Sequence, residues 1–126
     1  MNDQSINSYR DLRVWQDAKA LAETCYRLTG QFPRDELFGL TSQIRRAAAS
    51  ISANIAEGHG RESTVSFIQS LRIAQGSLKE LETHLILAER VSILAKSDPE
   101  VVLGRCENLG KMVRALIRSL QDKTSK

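Results

Sequence analysis

Two glutamate–histidine groupings have residue types and spacing that could do chemistry. Glu57 and His59 stand two apart, and Glu80, Glu82 and His84 fall within five residues. Carboxylates and histidines on facing helices are the ligand set of di-iron bundles, but that site requires Glu-x-x-His and this sequence contains none. Neither histidine has cysteine partners at zinc spacing, and no glycine loop is built to cradle a phosphate. No metal and no cofactor are therefore expected. No serine or cysteine nucleophile comes with a convincing base, which argues against an enzyme and a small-molecule substrate. Glu80, Glu82, Arg45 and Arg46 are expected in ion pairs or hydrogen bonds between helices or subunits.

A second group is cationic. Lys111, Arg114 and Arg118 recur at i, i+3 and i+7, with Arg105 and Lys123 nearby. From Arg105 to Lys126 there are six basic and two acidic residues, a local excess of four against three for the whole chain. The stripe has two readings: a solvated helix face, or a surface that tracks the phosphates of RNA or DNA. No aromatic residues interleave with it, so the second reading rests on backbone charge or RNA shape rather than base stacking. Arg45 and Arg46 are the only charges between Glu36 and Glu57. They are further candidates for nucleic-acid contact, although a structural role suits them better.

The elements that position these residues read as four amphipathic helices. Val14, Ala18, Leu21, Cys25, Leu28 and Phe32 step by four and three, with Asp11 as a candidate cap and Trp15 at the seam edge. Gly30 and Pro33 break that pattern, and Asp35 can cap a second helix. There Ile44, Ala48, Ile51 and Ile55 form a small apolar stripe, and Ala48 and Ala53 keep the helix thin. Asn54 lies on the continuation of this stripe and must find a hydrogen-bond partner. Gly58 and Gly60 are expected to end the helix in the left-handed conformation. The third seam, Phe67, Leu71, Ala74, Leu78, Leu81, Leu85 and Ala88, is the most regular, begins after a cap at Ser63 or Thr64, and carries Gly76 as a candidate close helix contact. A turn at Lys96–Pro99 with Asp98 as cap opens the fourth helix, whose seam is Val102, Cys106, Leu109, Val113, Leu116 and Leu120.

Short links make sequence neighbours antiparallel, so the predicted fold is an all-α, up-down-up-down four-helix bundle. The 126 residues suit a single domain with tails at 1–8 and 122–126. Hydrophobic content of 41% with 26% charged residues is ordinary for a globular chain. No apolar run is long enough for a bilayer and no secretory leader is evident, so a cytoplasmic location without membrane contact is expected. Cys25 and Cys106 fall on apolar stripes and read as buried free thiols. Once the core is assigned, Ile73, Ile86, Leu87, Ile93 and Leu94 are left over, and their clustering predicts a subunit interface in a homo-oligomer.

Four segments carry a family resemblance. They are DLRVWQDAKAL at Asp11–Leu21, Phe32–Pro33 followed by Glu36, QIRRAAASISANIAEGHGR at Gln43–Arg61, and IAQGSLKELETHL at Ile73–Leu85. From Tyr9 to about Leu120 the chain resembles the four-helix-bundle family named for the intervening sequences of 23S ribosomal RNA genes. The resemblance implies a small cytoplasmic bacterial bundle without known catalysis, often a homopentameric ring, with nucleic acid as partner. A related accessory protein of diversity-generating retroelements forms a similar basic pentamer that works with a reverse transcriptase and its RNA. The expectation is a non-enzymatic oligomer that binds structured RNA or another nucleic acid. The alternative is a protein-interaction scaffold.

Overall fold

The computed structural model describes residues 7–95 and 97–124. The sequence periodicities appear in it as four helices: α1 (Arg13–Thr29), α2 (Leu40–Gly60), α3 (Thr64–Arg90) and α4 (Ser97–Thr124). Each helix packs on its sequence neighbours and α4 closes back on α1. Gly58 meets Ser70 and Ser50 meets Ser77, so α2 descends as α3 climbs. The bundle is all-α, with the up-down-up-down course that short links impose. Among the described residues no helix is long and apolar enough to cross a membrane.

The core follows the seams. All four stripe residues of α2 and all seven of α3 are buried, as are Val14, Ala18, Leu21 and Cys25 of α1. Full burial of a leucine or isoleucine contributes about 1.5–3 kcal/mol. The fourth seam departs from expectation at its end. Val102, Cys106, Leu109 and Val113 are buried, but the next buried residue is Ile117, while Leu116 and Leu120 are half-buried. A straight helix turns every 3.6 residues, so a strict seven-residue repeat drifts off the core within a few turns. Leu94, expected on the surface, is buried in the core, and Ile93 packs against it.

The helix ends correct several expectations. Asp11 does not cap α1. It closes a capping box on a preceding 3-10 turn at Tyr9–Asp11, where its carboxylate accepts from the Asn7 and Ser8 amides at 2.9 and 3.2 Å. Ser8 is thus part of a folded turn rather than a tail. Glu36, not Asp35, serves the start of α2, accepting from the Leu40 amide at 3.1 Å. Ser63 caps α3, accepting from the Ser66 amide at 3.3 Å. Helix α4 begins at Ser97, which places Asp98 inside its first turn, and it runs to Thr124, through most of the expected tail. Lys96, residues 1–6 and residues 125–126, read as turn and tails, lie outside the described residues.

The glycines reverse their predicted roles. Gly58 and Gly60 lie within α2 and no described glycine has a positive φ. The left-handed residue after α2 is Glu62, at φ 57°, and Ser92 plays the same part after α3 at φ 65°. Gly58 is the close-contact glycine: a Cβ there would lie 2.5 Å from Ser70 Cβ and 3.2 Å from Phe67 Cδ1. Gly76 touches nothing that a Cβ would meet within 4 Å. Ala53 is exposed, whereas Ala48 is fully buried. Asn54 finds its partners in the Ser50 carbonyl at 2.8 Å and the Ser50 hydroxyl at 3.0 Å, and that hydroxyl pairs with Ser77 Oγ at 2.8 Å.

Candidate nucleic-acid interface

Leu71 and Leu78 of α3 and Cys106, Val113 and Ile117 of α4 are buried where these two helices meet. The residues just outside that seam line the groove between them. Arg72 and Gln75 from α3 face Arg114, Arg118 and Gln121 from α4, with Ile117 beneath. Arg72, Arg114 and Arg118 are exposed. Several acids of the bundle are paired along their own helices. Asp17 meets Arg13 at 3.7 Å, Glu23 meets Lys19 at 2.9 Å, Glu57 meets Arg61 at 3.3 Å and Glu82 meets Lys79 at 3.2 Å. Three guanidinium groups share one groove whose own lining holds no carboxylate, with Glu82 and Glu107 beside Arg114 in the adjoining cavity and Asp122 beside Arg118.

The predicted stripe is only partly this cluster. Arg114 and Arg118 belong to it. Lys111 is exposed on α4 but does not line the groove, and Lys123 joins Arg118 on the adjoining patch. Arg105 turns the other way and donates to Thr24 Oγ1 of α1 at 2.6 Å. Arg72 completes the cluster from 42 positions upstream of Arg114. It lies outside the predicted stripe because that stripe follows the periodicity of a single helix. An exposed arginine on the flank of α3 facing α4 was the cue available.

Arg45 and Arg46 are not brought to the stripe, since α2 and α4 occupy opposite corners of the bundle. Arg45 is a structural anchor. Its Nε donates to Thr29 Oγ1 at 2.8 Å, its Nη2 to the Tyr26 carbonyl at 3.3 Å, and its guanidinium lies 4.7 Å from the Tyr26 ring centroid. A positive charge at the C-terminal end of α1 also suits the helix dipole. Arg46 is exposed.

The acidic and histidine groups do not converge. Among the described residues no three His, Cys, Asp or Glu side chains could share a metal ion. The pairs of Glu80 and Glu82 lie within α3 itself rather than between helices: Glu80 is 3.8 Å from His84 Nε2, and Glu82 pairs with Lys79. Both His84 ring nitrogens are buried without a hydrogen-bond partner. His59 packs edge-on against Phe67 with centroids 5.6 Å apart. Cys25 and Cys106 are free buried thiols; burial pushes them up to about 11 and about 12, which keeps them protonated and unreactive at neutral pH.

Of the expected surface strip, Ile73, Ile86 and Leu87 are exposed. Helical spacing puts Ile73 and Leu87 on one stripe together with exposed Val91, and Ile86 on the flank toward α4. Leu37 and Phe38, in the link before α2, add apolar surface at the end where α3 finishes, and Phe38 is 92% exposed.

The fold and groove define a class: four-helix bundles in which no three metal-ligating side chains converge among the described residues, and with an arginine cluster on one helix pair. Within that class the chain belongs to the 23S rRNA-intervening sequence protein family, whose model matches residues 10–115. Arg72 and Arg114 fall inside the matched span and Arg118 just beyond it. A crystal structure of a protein of unknown function from the S23 ribosomal protein family of Bacteroides thetaiotaomicron is similar at 25% identity with a TM-score of 0.74. The match covers 82% of this chain and 97% of that one. No functionally curated protein matches.

Proposed function

We propose that this protein is a non-enzymatic homo-oligomer, a pentamer by resemblance, that binds structured RNA or another nucleic acid through the basic α3/α4 face. The observation that carries the reading is the cluster of Arg72, Arg114 and Arg118 around one groove whose lining holds no carboxylate. A single subunit with net charge +3 holds anions weakly at cellular salt. Repetition of the cluster by symmetry multiplies the local field, and each phosphate neutralised adds a slope of about 0.7–0.9 to the dependence of log affinity on log salt. Anisotropy titration of a structured RNA tests it. Binding is expected at low salt, weakened steeply by added salt and by Arg114→Glu with Arg118→Glu. A folded double variant that binds as tightly as the parent rejects this surface.

The second reading is a scaffold whose partner is another protein. It is favoured by the exposed apolar residues Leu37, Phe38, Leu87 and Val91. If oligomer formation leaves that surface open and no nucleic acid binds, the scaffold reading takes over.

A further inference from the structure

The α3/α4 groove continues past the arginine cluster into a cavity of about 430 Å³. Leu78 and Cys106 make its inner side apolar, while Gln75, Glu82, Glu107 and Arg114 bring polar groups to it. Two glycines open it from facing helices, Gly76 on α3 and Gly110 on α4. Neither has a positive φ. A Cβ on Gly76 would meet nothing within 4 Å, and one on Gly110 only Arg114 Nη1 at 3.6 Å. Neither backbone conformation nor helix approach requires glycine here, and a helix interior disfavours it. What both supply is room beside the arginines.

We propose that this cavity receives one unstacked base of the bound nucleic acid, and that the base is guanine. The inference rests on the reading of Arg72, Arg114 and Arg118 as phosphate contacts. The cavity falls within the range of about 300–1,000 Å³ typical of small-molecule sites, ample for a single base. Arg114 lines both the arginine groove and the cavity, so a phosphate held by the cluster brings its own nucleotide to the opening. A guanidinium plane stacks on a base as an aromatic ring does, which removes the need for one.

The carboxylates choose the base. Glu107 is exposed and in no salt bridge among the described residues, and Glu82 meets Lys79 through Oε1, leaving Oε2 for a ligand. Ionised carboxylates only accept hydrogen bonds. Guanine presents N1–H and N2–H side by side on its Watson–Crick edge, two donors for one carboxylate, with O6 beside them for Lys79 or the Gln75 amide. Adenine and cytosine place a lone-pair nitrogen next to their amino group, and uracil flanks its single N–H with two carbonyls. Each of these sets an acceptor against the carboxylate.

The test is an anisotropy titration of the full chain with three RNA hairpins that differ at one position: a bulged guanine, a bulged uridine, or no bulge. The bulged guanine should bind about tenfold more tightly than the others, in the range a good bidentate base contact provides. Gly76→Leu with Gly110→Leu fills the cavity and should bring all three hairpins to the affinity of the unbulged one. Glu82→Gln with Glu107→Gln should abolish the guanine preference without adding volume. Equal affinity of the parent for all three hairpins, or a guanine preference that survives either double variant, overturns the proposal. In that event, sensitivity to Arg114→Glu and Arg118→Glu leaves the phosphate reading standing. Absence of binding to every hairpin overturns both.

Discussion

Gly58 and Ser70 stand so close across the α2/α3 seam that a Cβ on the glycine would lie 2.5 Å from the serine Cβ. The glycine is what lets the two helices approach there, and Phe67 closes the same contact at 3.2 Å. Gly58→Ala gains about 1 kcal/mol of helix propensity but meets overpacking of about 1–3 kcal/mol, so the balance falls on destabilisation. Urea unfolding should show a lower midpoint for Gly58→Ala and a higher one for Gly76→Ala, where a Cβ meets nothing. A neutral Gly58→Ala would mean that the seam can widen without loss.

Arg45 should behave as a structural residue. Removing its guanidinium leaves Thr29 Oγ1 and the Tyr26 carbonyl without these donors, and hydrogen bonds from charged groups contribute about 1.5–3 kcal/mol. Arg45→Ala is expected to lower stability by that order while leaving RNA affinity of the folded protein intact. Arg45→Lys should recover little, because an ammonium cannot span both acceptors and lie over the Tyr26 ring as a planar fork does. Paired unfolding and anisotropy measurements separate the two effects.

Glu62 holds a left-handed backbone at φ 57°, a conformation that disfavours side chains with a Cβ by roughly 1–2 kcal/mol. Glu62→Gly relieves that strain but loosens the unfolded chain, so a net gain of about 0.5 kcal/mol is expected. A fall in melting temperature would show that the glutamate side chain contributes more than its backbone costs.

The thiols set an alkaline limit. Unfolded cysteines ionise near 9.0, whereas burial holds Cys25 and Cys106 protonated up to about 11 and about 12. Their contribution is complete below pH 9 and is lost as pH climbs through those folded values, because only the unfolded chain gains by releasing the proton. The slope is at most about 1.4 kcal/mol per pH unit for each thiol. Unfolding at about pH 8 and about pH 10.5 should show a decline that Cys25→Ala with Cys106→Ala flattens, against the same comparison in the parent.

Assembly is the remaining expectation. Phe38 at 92% exposure, Leu37, Leu87 and Val91 are exposed apolar side chains of the kind that oligomers cover. Light scattering at micromolar concentration should give a mass several times 14.1 kDa, reduced by Phe38→Glu with Val91→Glu. A monomeric parent would remove the multiplication of charge on which firm phosphate binding depends.

The apolar seams of α2 and α3 were legible because their periodicity is simple, whereas Gly58, Ser70 and Ser77, buried beside them, carry no hydropathy signal. The end of α4 was not, since extrapolating a seven-residue repeat hides the drift from Leu116 to Ile117. Glycine roles were illegible for a different reason. Sequence shows where a side chain is missing, but only the packing of α2 on α3 shows that Gly58 faces a neighbour and Gly76 does not. The candidate site was half visible: Arg114 and Arg118 repeat along one helix, while Arg72 joins them only through the contact of α3 with α4. The same holds for Leu94, whose place in the core depends on how the chain turns after α3.

Ser77, which pairs with Ser50, is itself one of a heptad series with Ser63 and Ser70. Apolar seams that repeat every seven residues are nearly self-similar, so two such helices are almost indifferent to sliding past one another by a heptad. Hydrophobic burial alone fixes which faces meet but not their axial alignment. A one-heptad slip of α3 along α2 would set Ser70 opposite Ser50 and Ser63 opposite the notch at Gly58, so these serines repeat with the seam. What forbids the slip is the three-residue link Arg61–Ser63 between the two helices, too short to let α3 move a heptad further along α2. The alignment of Arg72 opposite Arg114 and Arg118 is inherited from that link, through a helix whose outer flank never touches it.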